Sequence, residues 1–205
     1  MSGEVDPEAL RSELRTIKEA MGVSERYPSQ FRLWLVYGGL VLGASLVSQF
    51  VALRGLPGYW HAVAWFGFMG AGGLYGWYTG SSREGAETGT KPNIPLQFGA
   101  VFALYFVFLF ALAPAFGALE GALRSITVFS LVVALVGAAY LVVGESLKAY
   151  YVRRRDRWAF HLGGVWMLAL AALLPNVGVL REWGYATFGV VYALYAGGAY
   201  LALAD

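Results

Sequence analysis

Of the chain's 205 residues, 58% are hydrophobic and 14% charged, where a soluble domain has about 45–50% and about 25%. The formal net charge is +2 and there is no cysteine, which excludes disulfides, thiolate metal sites, cysteine nucleophiles and cysteine-ligated iron–sulfur clusters. Charged side chains crowd into residues 1–32, 80–91 and 145–157 and nearly vanish between them, the pattern of an all-α integral membrane protein. Six spans of roughly 20 residues would use almost the whole chain and leave no room for a soluble catalytic domain.

The segment 1–30 is charged and lacks an apolar signal-peptide core, so insertion is expected to begin with the first span. Residues 7–21 predict a short cytosolic amphipathic helix: Asp6 suits the N-cap, Pro7 the first helical position, and Gly22 a stop. Leu10, Leu14, Ile17 and Met21 form a heptad seam, with Glu13 and Lys18 flanking it. Two heptads are too short to hold a helix alone in water, so the seam calls for another copy, a partner subunit or the membrane surface.

The remaining domain, 31–205, reads as six spans at approximately 31–53, 59–79, 94–115, 123–144, 158–178 and 183–203. Arg54–Gly58 is a tight turn, Gly80–Asn93 a flexible loop, and Pro114 with Gly117 closes the third span. The fourth span is expected to run on as helix past Glu145 to about Tyr151.

Orientation follows from the cations. The N-terminal segment with Arg32, the 80–93 loop and the 145–157 loop carry five, two and five Lys or Arg residues. The alternate loops hold one each, at Arg54, Arg124 and Arg181. Twelve against three places both termini in the cytoplasm by the positive-inside rule. Arginine outnumbers lysine twelve to three, which suggests the cytoplasmic membrane of a prokaryote. Lys148, Arg153, Arg154, Arg155 and Arg157 then face anionic lipid headgroups. Phe98–Tyr105 (FGAVFALY) and Phe188–Tyr195 (FGVVYALY) match at six of eight positions. The match fits either an inverted three-plus-three duplication or chance in a narrow alphabet.

In this topology His61 enters its span from outside and His161 from inside, so one haem cannot be held by both; each also reads as an interfacial side chain. No carboxylate falls at mid-membrane. Glu145, the nearest, reads as a solvated helix end beside Lys148 and Arg153–Arg155. Gly39-x-x-x-Gly43 and Gly72-x-x-x-Gly76-x-x-x-Gly80 put small residues on one helix face, for close packing in lipid rather than phosphate binding. Neither metal-ligand clusters nor enzyme motifs are present, and no cofactor is expected.

Uncharged polar side chains collect in the outer half: Ser45, Ser48, Gln49, Ser125, Thr127, Ser130, Asn176 and Thr187. They should face protein or water. One reading is an outward-opening pocket lined by Gln49, His61, Asn176 and Thr187, with Tyr185 and Tyr192 as aromatic walls. The plainer reading is that they bond to their own helices or glue the bundle together. Two functions follow: a small-solute binding or transport protein without buried-carboxylate proton coupling, or a non-transporting membrane subunit that assembles with partners.

Overall fold

A computed structural model describes Glu13 and residues 28–78, 93–150 and 154–204. The seam residues Leu10, Leu14, Ile17 and Met21, the 80–92 loop and Arg153 lie outside the described residues, and Glu13 is helical and exposed. The described residues are all-helical, with no strand among them.

Pro28, whose fixed φ suits a first helical turn, opens α1 (Pro28–Leu53). Its end is fixed by Gly55, with φ of 60°. The Gly55 amide donates to the Ala52 carbonyl at 3.2 Å and Leu56 to Val51 at 3.0 Å, a Schellman cap that satisfies carbonyls an abrupt end would orphan. A short turn leads to α2 (Tyr59–Tyr78). Asn93 caps α3 (Ile94–Ala111), its side chain accepting from the Leu96 amide at 3.0 Å, and Pro95 sits in the first turn.

The third span ends earlier than the sequence predicts. The helix breaks at Leu112 and restarts as one short turn, α4 (Ala113–Gly117), because Pro114 suits a new first turn and not a helix interior. α5 (Gly121–Ser146) runs past Glu145 as expected and tightens into a 3₁₀ turn over Leu147–Tyr150. α6 (Arg154–Leu173) begins and ends ahead of its predicted span, so Asn176 lies in the turn beyond it. α7 (Gly178–Ala204) starts five residues sooner than expected.

Three stretches among the described residues are long and apolar enough to cross a membrane: Leu33–Leu53, Gly121–Ala149 and Gly178–Leu203; Leu96–Ala111 is a shorter apolar stretch. The sequence predicts six crossings. α2 dilutes its hydropathy with glycine, tyrosine, tryptophan and His61, and α6 opens on Arg154, Arg155, Asp156 and Arg157.

Packing is not in chain order. The first and last helices, α1 and α7, form one close pair, and α5 with α6 forms another; α5 and α6 both touch α7, α2 docks on α1, and α3 on α5. Small residues make the close pairs possible. A Cβ added at Gly189 would lie 2.5 Å from the Ser45 Cβ across the α1–α7 seam. One added at Gly164 would lie 2.7 Å from the Gly137 carbonyl across the α5–α6 seam. Without a hydrophobic force between helices in lipid, such close approach supplies the dispersion contacts that hold them. The core runs along α7, where Tyr185, Phe188, Tyr192 and Ala196 are buried with Val41, Ile126, Phe129, Val133, Tyr140, Met167, Ala171 and Leu174.

Candidate functional site

The most elaborate polar contact among the expected pocket residues is made by Gln49. Its amide nitrogen donates to the Glu182 carbonyl at 2.7 Å, and its amide oxygen accepts from the Ala186 backbone N–H at 3.1 Å. In an uninterrupted helix those two backbone groups pair with each other. A 4% exposed side chain from α1 therefore grips, with both ends of its amide, two backbone groups one turn apart on α7.

Tyr185 lies in the same turn of α7. Its hydroxyl is 2.7 Å from Ser125 Oγ and donates to the Ser125 carbonyl at 3.3 Å. His61, half-buried in the first turn of α2, stacks on the Tyr185 ring with centroids 4.8 Å apart and planes 16° from parallel. Phe129 packs on the same tyrosine at 4.3 Å. His61 Nδ1 is buried without a hydrogen-bond partner. Thus Gln49, His61 and Tyr185 meet in one layer, joined by Ser125, where α1, α2, α5 and α7 converge.

The other expected pocket residues lie elsewhere. Tyr192 is seven residues further along α7, about 10 Å deeper by helical rise, and its hydroxyl pairs with that of Tyr140 at 2.6 Å. Asn176 is exposed and gives its amide to the Ala172 carbonyl at 2.7 Å. Thr187 is half-buried, two residues past Tyr185 and so on another side of α7. Two further hydroxyls are also spent inside the bundle: Thr127 on Leu123 and Ser130 on Ala171, both through backbone carbonyls. Ser45 Oγ and Ser48 Oγ are buried without partners in the α1–α7 region.

Below this layer an aromatic column fills the bundle. Trp65 and Trp166 flank Phe188, and Trp34 touches Tyr140, Phe160 and Tyr195. Tyr195 donates to the Ala159 carbonyl at 2.5 Å.

The opposite end carries a polar cluster that the sequence reading treats as a solvated helix end. Glu145 accepts from Lys148 on one oxygen and faces His161 Nε2 at 3.0 Å on the other. Gln97 of α3 donates to Ser146 Oγ at 2.8 Å. The signal was available, because Glu145 and His161 flank one short connection between antiparallel helices, which brings the two helix ends together.

Of the expected headgroup residues, Lys148 is thus engaged by Glu145, and the Arg155 guanidinium reaches the Ala202 carbonyl in the last turn of α7. A cation is favoured there, whereas three arginines at the start of α6 oppose that helix's dipole. Arg154 is exposed, and Arg157 Nε is buried without a partner. Among the described residues, no three His, Asp or Glu side chains come together as metal donors. No family model, curated protein or solved structure matches the chain.

Proposed function

We propose that this chain is a non-transporting integral membrane subunit of six spans, both termini cytoplasmic, which associates with other membrane chains through α2 and α3. The observation that carries this reading is the destination of Gln49. Its amide, the best-equipped group for an outward-facing ligand site, uses both ends on the α7 backbone. Tyr185, Asn176, Thr127 and Ser130 likewise spend their hydrogen bonds within the bundle. Polar groups used this way are glue between helices.

The outer faces of α2 and α3 support the second half of the proposal. A methyl group added at Gly67, Gly70 or Gly73 would meet open space, leaving a shallow groove that another helix can enter closely. α3 packs chiefly on α5 and leaves Phe102, Leu104, Phe106, Val107, Phe108 and Phe110 exposed. Helix lengths support six crossings: α2 and α6 have 20 residues each, about 30 Å of helix. The twelve-to-three cation bias supports the orientation, and Arg154 and Arg157 then meet anionic headgroups at the cytoplasmic surface.

The test has two arms. Extraction in native-membrane nanodiscs should give a particle larger than one 22.2 kDa chain, and Gly70→Trp should reduce it to a single copy. A wild-type protein extracted as a lone monomer would sink the assembly reading. Proteoliposomes should show no solute flux above protein-free vesicles; flux that Gln49→Leu abolishes would reinstate transport.

A further inference from the structure

Glu145 closes the last turn of α5, and His161 lies two turns into α6. His161 Nδ1 is 2.8 Å from the Arg157 carbonyl, and Nε2 is 3.0 Å from Glu145 Oε1. A carbonyl oxygen only accepts, so Nδ1 must carry a hydrogen. A neutral imidazole has one N–H, which leaves the Nε2 lone pair aimed at a carboxylate oxygen that also only accepts. The 3.0 Å contact therefore needs one more proton. It is satisfied by an imidazolium facing a carboxylate, or by an imidazole accepting from a carboxylic acid.

We infer that Glu145 and His161 together form a proton-binding site that fastens the end of α5 to α6. One proton from water enters and becomes the bridging hydrogen; its loss leaves two lone pairs opposed. The site is built for this contact. A Cβ at position 144 would lie 2.9 Å from His161 Cε1 and 3.0 Å from Nδ1, so Gly144 is what lets the ring reach the end of α5. Lys148 occupies the other Glu145 oxygen and holds the carboxylate in place. Ser146, the next residue, receives Gln97 from α3. The same two residues of α5 thus secure α6 through the proton and α3 through a neutral hydrogen bond.

The charged groups around the pair, among the described residues, are Lys148 in the 3₁₀ turn after α5 and Arg154, Arg155, Asp156 and Arg157 on α6. α3 contributes the uncharged Gln97, and α7 approaches α6 through Tyr195 and the Ala202 carbonyl that Arg155 binds. Because the pair interacts directly, the bridging proton belongs to both residues. The inference stands whether or not the chain assembles with partners.

Trp158 offers a reporter, with its ring 6.1 Å from that of His161; a neighbouring imidazolium quenches indole emission and a neutral imidazole does so far less. The emission of Trp158 is the difference between wild type and Trp158→Phe, followed in detergent from about pH 5 to about pH 10, a range spanning the ordinary histidine titration. It should brighten in one single-proton step as the pH rises. Glu145→Gln should move that step to lower pH, since the carboxylate that favours the charged ring is gone. His161→Gln should abolish it. Lys148→Gln, which keeps the pair, should leave a step at or above the wild-type midpoint. The inference is overturned by the absence of a step in wild type, a midpoint unmoved in Glu145→Gln, a step surviving in His161→Gln, or its loss in Lys148→Gln.

Discussion

Gln49→Leu separates glue from ligand recognition, because leucine nearly preserves volume while deleting both hydrogen bonds to α7. A typical intramolecular bond contributes about 0.5–1.5 kcal/mol net, and side-chain bonds between membrane helices average about 0.6 kcal/mol. Two bonds would suggest about 1–3 kcal/mol by those figures, but the Glu182 carbonyl and Ala186 N–H can pair with each other once the amide is gone. The expected loss is therefore about 1 kcal/mol, or about 2–4 °C in Tm for a chain of this size. Gln49→Glu should be much worse, since an ionised carboxylate at this 4% exposed position still accepts from Ala186 but has nothing to donate to the Glu182 carbonyl. The assay is thermal unfolding of ligand-free protein in detergent, followed by helical circular dichroism. A ligand-recognising glutamine costs no stability in that assay. Wild-type melting in both variants would refute the role of Gln49 as glue between α1 and α7.

Three further outcomes are expected. Gly189→Ala should lose about 1–3 kcal/mol through overpacking against Ser45 and recover in the Ser45→Gly background, while Gly70→Ala, which meets open space, should melt like wild type. Tyr140→Phe and Tyr192→Phe should each cost about 1 kcal/mol, with the double variant little worse than either alone, because removing both hydroxyls leaves neither unpaired; strictly additive losses in unfolding titrations would contradict the pairing. Cysteine at Gly58 should react with an impermeant reagent in intact cells and cysteine at Arg154 only after permeabilisation, and the reverse pattern would invert the topology.

Helix existence was legible in this sequence because its punctuation is chemical: Gly55, Pro95 and Pro114 each do locally what their backbone restrictions dictate. Exact ends were less legible, since α6 extends into its arginine run, a segment that hydropathy alone places outside the span. The polar layer was legible as a set of residues but not as an arrangement. Gln49 was singled out for its unmet hydrogen-bonding capacity, and that capacity is what the structure employs, yet its partners are backbone groups of α7, which no side-chain pattern can signal. The Glu145–His161 pair escapes the sequence because Glu145, taken alone, reads as a solvated helix end and His161, taken alone, as an interfacial side chain, although one short connection joins their helices.

Helix neighbourhood was illegible for a physical reason, which the two matching octapeptides expose. Phe98–Tyr105 lies in α3 and Phe188–Tyr195 in α7. Tyr192 is 7% exposed in the centre of the core, while its counterpart Phe102 is 55% exposed on the rim. In water such sequences could not serve both roles, because the exposed face would have to be polar. In lipid the surroundings are as apolar as the core, so nothing in the residue types separates the two faces. What distinguishes them is the small residue beside them: Gly189 lets α7 approach Ser45 of α1, whereas the corresponding Gly99 of α3 meets nothing within 4 Å. The neighbour, not the octapeptide, decides which helix becomes the core, and it is supplied from the far end of the chain.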